Sequence, residues 1–368
     1  MSTLSPRTRA SALLVLSLAC GAGHAAAQGT DDTSATRPRL SLLPVVGSAP
    51  ETGFQYGVTA LRTYRLGSEA TTRTSQQQVY AIYTTKSQAR GWVQLDRWSA
   101  GNRWRVRARA EYQRFPLPYY GIGGDTPDER EEWYTSTGPT AQLLVQRRLG
   151  GDLFAGASAR YTSVKVRDVE TGGALVTGAV HGSAGGAVAQ LQGFVSHDSR
   201  DHVLAPRAGH LLQLTVTGAG GAIGSRYDFT RYAVDARRYW AFGARQHVVA
   251  AQLLAEATTG RAPFDQLVQV GSDTAMRGYT RGRYRERDGI NGQVEYRSPY
   301  WRRLGFTAFG GGGVVMRRLG DTSDATLLPT VGVGLRALLV PAQRATIRVD
   351  FGMGKGSTGL YVALNEAF

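Results

Sequence analysis

Arg103 to Gln113 reads RWRVRARAEYQ, with Arg, Arg, Arg, Arg, Glu and Gln at the odd positions and Trp, Val, Ala, Ala and Tyr at the even ones. A period of two puts one face in a polar medium and the other in an apolar one, so the stretch predicts a strand. The alternation recurs in Ile290 to Arg297 (INGQVEYR), where Asn291, Gln293, Glu295 and Arg297 share the polar parity. It returns in Thr346 to Phe351 (TIRVDF), where Arg348 and Asp350 do. Gln190 and Gln192 alternate with Leu191, and Leu212, Leu214 and Val216 with Gln213 and Thr215.

Sixteen segments read this way, from 40–47 and 54–64 near the beginning to 344–354 and 357–368 at the end. Several reach about ten residues, the length that crosses a bilayer at a tilt. Their apolar faces use much Ala and Gly, which fill a sandwich core poorly but carry no penalty against lipid. Trp98, Trp104, Tyr119-Tyr120, Tyr239-Trp240 and Tyr300-Trp301 gather towards segment ends, as interfacial aromatic girdles do. Connections alternate in length. Gly150-Gly151, Gly243-Ala244, Arg302-Arg303 and Pro341-Ala342-Gln343 are short, while 115–138, 167–184, 258–288 and 316–325 are long. This predicts an all-β fold, a transmembrane antiparallel barrel of sixteen strands with both termini in the periplasm. A soluble secreted sandwich shares the alternation but not the strand lengths or the girdles. A barrel of this size encloses a water-filled lumen, where the charged parity belongs.

Charge then has to be placed. The chain carries 43 Lys+Arg against 28 Asp+Glu, a formal charge of +15, with a pI near 10.2. Such a balance invites a nucleic-acid partner. The basic residues are nearly all arginine, with Lys86, Lys165 and Lys355 the only lysines, and they are spread along the chain. No nucleic-acid patch is expected. The densest stretch, Met276 to Asp288 (MRGYTRGRYRERD), lies in a predicted external loop.

The first 27 residues are set apart. Arg7 and Arg9 precede the apolar run Ala10 to Ala22, and Ala25-Ala26-Ala27 supplies a small-residue cleavage site before Gln28. This is the pattern of a secretory signal peptide, 1–27. A lipoprotein reading would use Cys20, but Ser17-Leu18-Ala19 lacks the leucine usual three residues before the modified cysteine. Residues 28–39 form a short polar tail and 40–368 the barrel domain. No later apolar run reaches eighteen residues, which excludes a helical membrane protein.

Four stretches together resemble the BamA/TamA-like outer-membrane assembly barrels, also called the bacterial surface antigen family. Pro50-Glu51-Thr52-Gly53 looks like the first hairpin, and His197 to Gly209 (HDSRDHVLAPRAG) like the Asp-x-Arg-Asp…Pro…Gly turn. Met276-Arg277-Gly278-Tyr279 matches the arginine-glycine-aromatic motif of the sixth external loop, and Gly332 to Phe368 the closing strands.

The resemblance implies a sixth loop that re-enters the lumen with Arg277 as its buried charge. It implies Glu295 as the partner, with Gly278 allowing close approach and Tyr279 touching the wall. The family's second carboxylate falls where Gly311 stands, and Asp350, lumen-facing by parity, is the substitute. The remaining arginines, Arg281 to Arg287, are expected in water or against lumenal carboxylates. Asp198, Arg200, Asp201, Pro206 and Gly209 are expected to shape a periplasmic turn.

At the seam, Pro44 removes a ladder donor from the first strand. The terminal Phe368 would be read by the assembly machinery as the end of the last strand. The residues 28–39 leave no room for the family's periplasmic POTRA domains. The implied partners are outer-membrane lipid, lipopolysaccharide and unfolded outer-membrane protein clients. The implied activity is outer-membrane protein assembly or translocation, with a passive or gated pore as the alternative.

No catalytic constellation, cofactor or metal site is expected. Ser196-His197-Asp198 are strand neighbours whose side chains point to opposite faces, so no relay forms. His197 and His202 lack metal-ligand spacing. Gly310 to Gly313 lacks the lysine of a phosphate loop and reads as a strand packed closely by the re-entrant loop. Asp125, Asp128, Glu129, Glu131 and Glu132 read as a solvated acidic patch in the third external loop.

Overall fold

The computed structural model describes residues 39–67, 72–244, 246–321, 323, 325–340 and 344–368. The signal peptide with Cys20, nearly all of the polar tail, and the turn Pro341-Ala342-Gln343 lie outside these residues. Among them the strands are β1 (Arg39–Ala49), β2 (Gly53–Tyr64), β3 (Ser75–Thr84), β4 (Ala89–Trp98), β5 (Trp104–Tyr119) and β6 (Glu132–Gly150). Then come β7 (Leu153–Arg167), β8 (Gly186–Asp198), β9 (Gly209–Ala219), β10 (Phe229–Phe242), β11 (His247–Gly260), β12 (Val268–Val270) and β13 (Tyr284–Glu286). The last five are β14 (Asp288–Arg297), β15 (Leu304–Met316), β16 (Leu328–Val340), β17 (Ala345–Gly354) and β18 (Ser357–Leu364).

Sixteen of these, all but β12 and β13, form one closed antiparallel barrel in which each strand pairs with its sequence neighbours. Closure is what makes a sheet tenable in hydrocarbon, because neighbouring strands take up one another's backbone donors and acceptors. No helix is long and apolar enough to cross a membrane. Along each strand one parity stays outside: Leu191, Leu214, Val294 and Val331 are about half exposed to what surrounds the barrel. The other parity meets inside, as where Arg105 and Arg107 both pair with Asp96 at 2.7 and 2.8 Å.

Three expectations need correction. The connection 115–138 shrinks to 120–131, because β5 and β6 continue as a ribbon paired as far as Tyr119↔Glu132. There the inner faces of Tyr119 and Tyr134 bury against Phe264, ring centroids 5.4 and 5.2 Å away. Not every terminal aromatic is a girdle residue. Trp104, Trp240 and Trp301 face outward, but Trp98, Tyr119 and Tyr239 are buried on the lumen parity. Trp98 lies beneath the guanidinium groups of Arg73 and Arg105. Finally, β18 stops at Leu364 rather than running to the terminus. Asn365 takes a left-handed φ of 62°, which turns the chain inward and packs Phe368 against Tyr239.

Candidate functional site: the lumenal clamp on the sixth loop

The segment 261–287 joins β11 to β14, and its two short strands pair as a hairpin from Val268↔Glu286 to Val270↔Tyr284. Between them the backbone turns sharply, with φ of 56° at Met276 and 117° at Gly278. That turn presses backbone against backbone. A Cβ at Gly278 would lie 2.7 Å from the Met353 carbonyl carbon, and one at Gly352 would lie 2.7 Å from that of Arg277. A Cβ at Gly354 would run into the Tyr279 ring. Glycine is needed on both sides of this contact, which places the motif directly on β17.

Arg277 is fully buried, as are Glu295 and Asp350. Its Nη2 lies 2.6 Å from Glu295 Oε2 and its Nη1 2.7 Å from Asp350 Oδ2, so the motif's guanidinium engages both carboxylates. Its Cζ also rests 3.6 Å from the centroid of the Phe309 ring, a desolvated cation–π contact. Gly311 is too crowded to carry an acid, since a Cβ there would sit 2.9 Å from Gln293 Cα. Asp350, two strands further round, supplies the second charge.

The network is wider than one arginine. Arg297 Nε donates to Glu295 Oε1 at 2.8 Å. Arg336 Nη1 donates to Asp350 Oδ1 at 2.5 Å and its Nε to Glu366 Oε2 at 2.8 Å. Arg348 bridges Asp350 at 2.9 Å and Asp273, on the loop, at 2.7 Å. Four arginines thus face four carboxylates, which is the condition under which buried charge is tolerable.

Sequence reasoning missed Arg336, Arg348, Glu366, Asp273 and Tyr361. Strand parity was a usable signal for Arg348, and for Tyr361, which falls between the outward Leu360 and Val362. Parity marked Arg336 too, after the outward Val331, Val333 and Leu335, whereas Asp273 and Glu366 lie off the barrel strands and had no periodic trace.

Neutral hydrogen bonds complete the grip. Gly278 N–H donates to Tyr361 Oη at 2.9 Å, and that hydroxyl donates to Tyr279 O at 3.1 Å. Tyr279 Oη donates to Pro329 O at 2.7 Å and accepts from Lys355 N–H at 2.8 Å. Ser357 Oγ donates to Gly278 O at 2.7 Å, and Thr330 Oγ1 to Arg277 O. Every closing strand from β14 to β18 therefore touches the motif or its partners.

Of the loop's other arginines, Arg281 and Arg287 are exposed as expected, but two differ. Arg283 and Arg285 are buried. Arg283 donates to Thr126 Oγ1 at 2.6 Å and pairs with Asp128 at 2.7 Å, while Arg285 lies over the Tyr119 and Phe264 rings. The acidic patch is not uniformly solvated either. Glu132 is buried and accepts the Ala174 and Leu175 amides at 3.1 and 3.2 Å. Sixth and third external loops are thus joined by contacts no local pattern announces.

At the other end of the barrel, Asp198 takes a two-pronged pair from Arg200 at 2.7 and 3.1 Å and a third contact from Arg73 at 3.2 Å. Asp201 accepts from the Arg207 amide at 2.8 Å and pairs with Arg344 at 2.6 Å. Gly209 needs its φ of 92°, because a Cβ would strike Ser199. Pro206 O accepts from Arg297 Nη1 at 3.2 Å, and Phe368 O from Arg297 Nη2 at 3.0 Å. One clamp arginine therefore ties the turn and the inward-turned terminus to the loop anchor.

Burial pushes the Asp201 carboxyl up, but the Arg344 pair and the two backbone donors outweigh it and hold the pKa low. His202 moves down from 6.5, first because it is desolvated and then because Arg344 is near. Its Nδ1 accepts the Leu204 and Ala205 amides at 3.2 and 3.1 Å.

Pro44 lies opposite Val58 of β2, well away from the pair that joins β1 to β18, Ser48↔Val362. Ser196 and Asp198 are buried on the inner parity while His197 is exposed on the outer one. Among the described residues no group of three His, Cys, Asp or Glu is placed to hold a metal ion.

Residues 62–356 match the Omp85 superfamily domain. No curated protein matches the chain. Among solved structures, BamA from Haemophilus ducreyi lacking POTRA domains 1–3 superposes with a TM-score of 0.60 at 12% identity, over 89% of this chain and 70% of that one. CdiB from Acinetobacter baumannii gives 0.58 at 10% identity, over 90% and 65%. CdiB from Escherichia coli gives 0.58 at 11% identity, over 87% and 62%. The chain thus spans about two thirds of their lengths, and at such identities the likeness is one of fold.

Proposed function

Since the chain belongs to the Omp85 superfamily and its barrel resides in the bacterial outer membrane, we propose that it assists the assembly or translocation of outer-membrane proteins by strand pairing at its seam. The observation that carries this reading is the closure between β1 and β18. It consists of one register pair, Ser48↔Val362, whereas β17 and β18 pair from Ile347↔Leu364 to Gly354↔Ser357. Each net ladder hydrogen bond contributes roughly 0.5–1.5 kcal/mol, so this junction is several bonds weaker than its neighbours. Edge backbone on β1 is then a template for an incoming strand. Tyr361, on β18, holds the loop motif, so the seam strand and the lumenal clamp are mechanically joined.

The test is a Ser48→Cys/Val362→Cys pair, oxidised to lock the seam, in the chain reconstituted with an unfolded client barrel. Faster client folding in the reduced form, abolished on oxidation, is expected. Equal acceleration by the locked form overturns the seam mechanism.

One observation favours a second reading, a gated pore. The inner wall of β4, β5 and β7 carries Arg90, Arg105, Arg107, Arg109 and Arg160 against Asp96 and Glu111. Steady anion-selective conductance with no effect on client folding would replace the assembly reading with this one.

A further inference from the structure

The outer surface of the barrel carries a cationic cluster that neither the clamp nor the seam uses. Arg238 on β10 is exposed on the lipid-facing parity, and no carboxylate among the described residues pairs with it. Its Nη1 donates to His210 Nδ1, on the paired strand β9, at 3.1 Å. That Nδ1 also lies 3.0 Å from Ser199 Oγ, and with the arginine donating to it the ring's N–H is on Nε2, a further donor. The His210 ring stacks on His197 with centroids 4.7 Å apart and planes 3° from parallel. Trp240, two residues on along the same face, lies 5.8 Å from the Arg238 guanidinium.

Position along the strand bears on what this arginine can bind. Arg238 stands four residues before the end of β10 at the short-turn side, which is the periplasmic side of an outer-membrane barrel. Four residues span about 13 Å of strand, or about 10 Å of height at the usual tilt. On the other side of β10, β9 begins at Gly209, opposite Tyr239, so Arg238 lies near the periplasmic rim of the wall, where an outward Trp240 meets lipid headgroups. A guanidinium there needs an anion, and two phosphate oxygens match its donor fork.

Directly beside it the wall is hollow. Ala236, Arg238, Ala251, Gly292, Val294 and Gly310 line a shallow groove of about 360 Å³ across β10, β11, β14 and β15. Gly292 and Gly310 have room to spare, since a Cβ would come no nearer than 3.8 and 3.7 Å to any neighbour. Neither has a left-handed backbone. Their lack of side chains is therefore required by no contact within the protein.

We propose that Arg238, His210 and Trp240 form a phosphodiester site for an anionic phospholipid of the periplasmic leaflet, with an acyl chain lying in the groove over Gly292 and Gly310. Headgroup and chain are then recognised by adjoining features of different chemistry. Arg147, which lies 5.4 Å from the Trp104 ring, is an arginine paired with a girdle aromatic outside the groove and serves as the control.

The experiment is native mass spectrometry of the full chain folded in detergent and titrated with phosphatidylglycerol, or with inorganic phosphate alone. Heat-modifiable gel mobility certifies the fold of each variant. One retained phosphatidylglycerol is expected for the unaltered chain. Arg238→Gln is expected to bind about tenfold more weakly, the loss of one charge-assisted contact. Gly292→Val/Gly310→Val, which leaves the headgroup residues intact, is expected to lose binding to the same degree, and Arg147→Gln to keep it. Equal loss in Arg147→Gln reduces the site to general girdle attraction and overturns the proposal. So does full binding by the groove-filled variant, or inorganic phosphate binding as tightly as the lipid. The two variants perturb different parts, so failure of either to fold leaves the other decisive.

Discussion

Replacing Asp350 by asparagine removes one negative charge from the most crowded point of the clamp and changes little in shape. In the native barrel this carboxylate takes Arg277 at 2.7 Å, Arg336 at 2.5 Å and Arg348 at 2.9 Å, all beyond the reach of solvent. Asparagine leaves three guanidinium groups with Glu295, Glu366 and Asp273. Breaking a buried pair by deleting one partner costs about 3–5 kcal/mol. The cost is relieved if the loop leaves, since Arg277 then returns to water. The ratio of docked to undocked loop should fall roughly 150- to 5000-fold.

Trypsin reads this directly. Arg281 and Arg287 are exposed in the docked loop, while Arg277, Arg283 and Arg285 are buried. Within 276–287 the unaltered barrel should be cut at the first two alone, and Asp350→Asn at all five; exposed sites elsewhere, such as Arg130 and Arg261, should be cut equally in both. An Asp350→Asn barrel as protected at Arg277 as the parent would refute the view that charge holds the loop. The backbone fit against Gly352 and Gly354 would then be the real fastening.

Three other outcomes are expected. Gly352→Ala puts a Cβ 2.7 Å from the Arg277 carbonyl carbon and should expose the same tryptic sites without touching any charge; unchanged protection would mean that the wall yields. Tyr361→Phe strips the partner from the Gly278 amide and from Tyr279 O, at roughly 1–3 kcal/mol, and should speed hydrogen exchange across 276–279 but not in β14. The turn at 199–208 should loosen in acid. His202 is held neutral with its pKa below 6.5, so its contribution is whole above that value and is lost as the pH falls through the lower folded pKa. Exchange of the Leu204 and Ala205 amides should rise over that window, and His202→Gln should flatten the dependence.

The wall was legible because its information is local. TIRVDF and INGQVEYR state their inner and outer faces residue by residue, and pairing between sequence neighbours follows from short turns. Arg277, Glu295 and Asp350 meet because the loop re-enters, which the resemblance implied; that both carboxylates are engaged at once came from geometry. Other features were hidden in proportion to their range. Arg283 finds Thr126 across 157 positions, a contact with no periodic trace. The hairpin of β12 and β13 has three residues a side, too few to show a period. Trp98 was misplaced because a position near a strand end was weighed without its parity, which it shares with the inward Asp96. Phe368 turned inward because Asn365 accepts a left-handed backbone, a choice that alternation does not record.

The clamp's charges divide evenly in one further sense. The loop contributes Arg277 and Asp273, one of each sign; the wall contributes Arg297, Arg336 and Arg348 with Glu295 and Asp350, and the inward-turned terminus adds Glu366. Withdrawing the motif would therefore move no net charge from these sites and leave none behind. What holds the motif is therefore how these charges are paired, and not an excess of either sign at the clamp. Contact at the seam strand, or at the turn that Arg297 holds, has only to unpair them for the loop to be released.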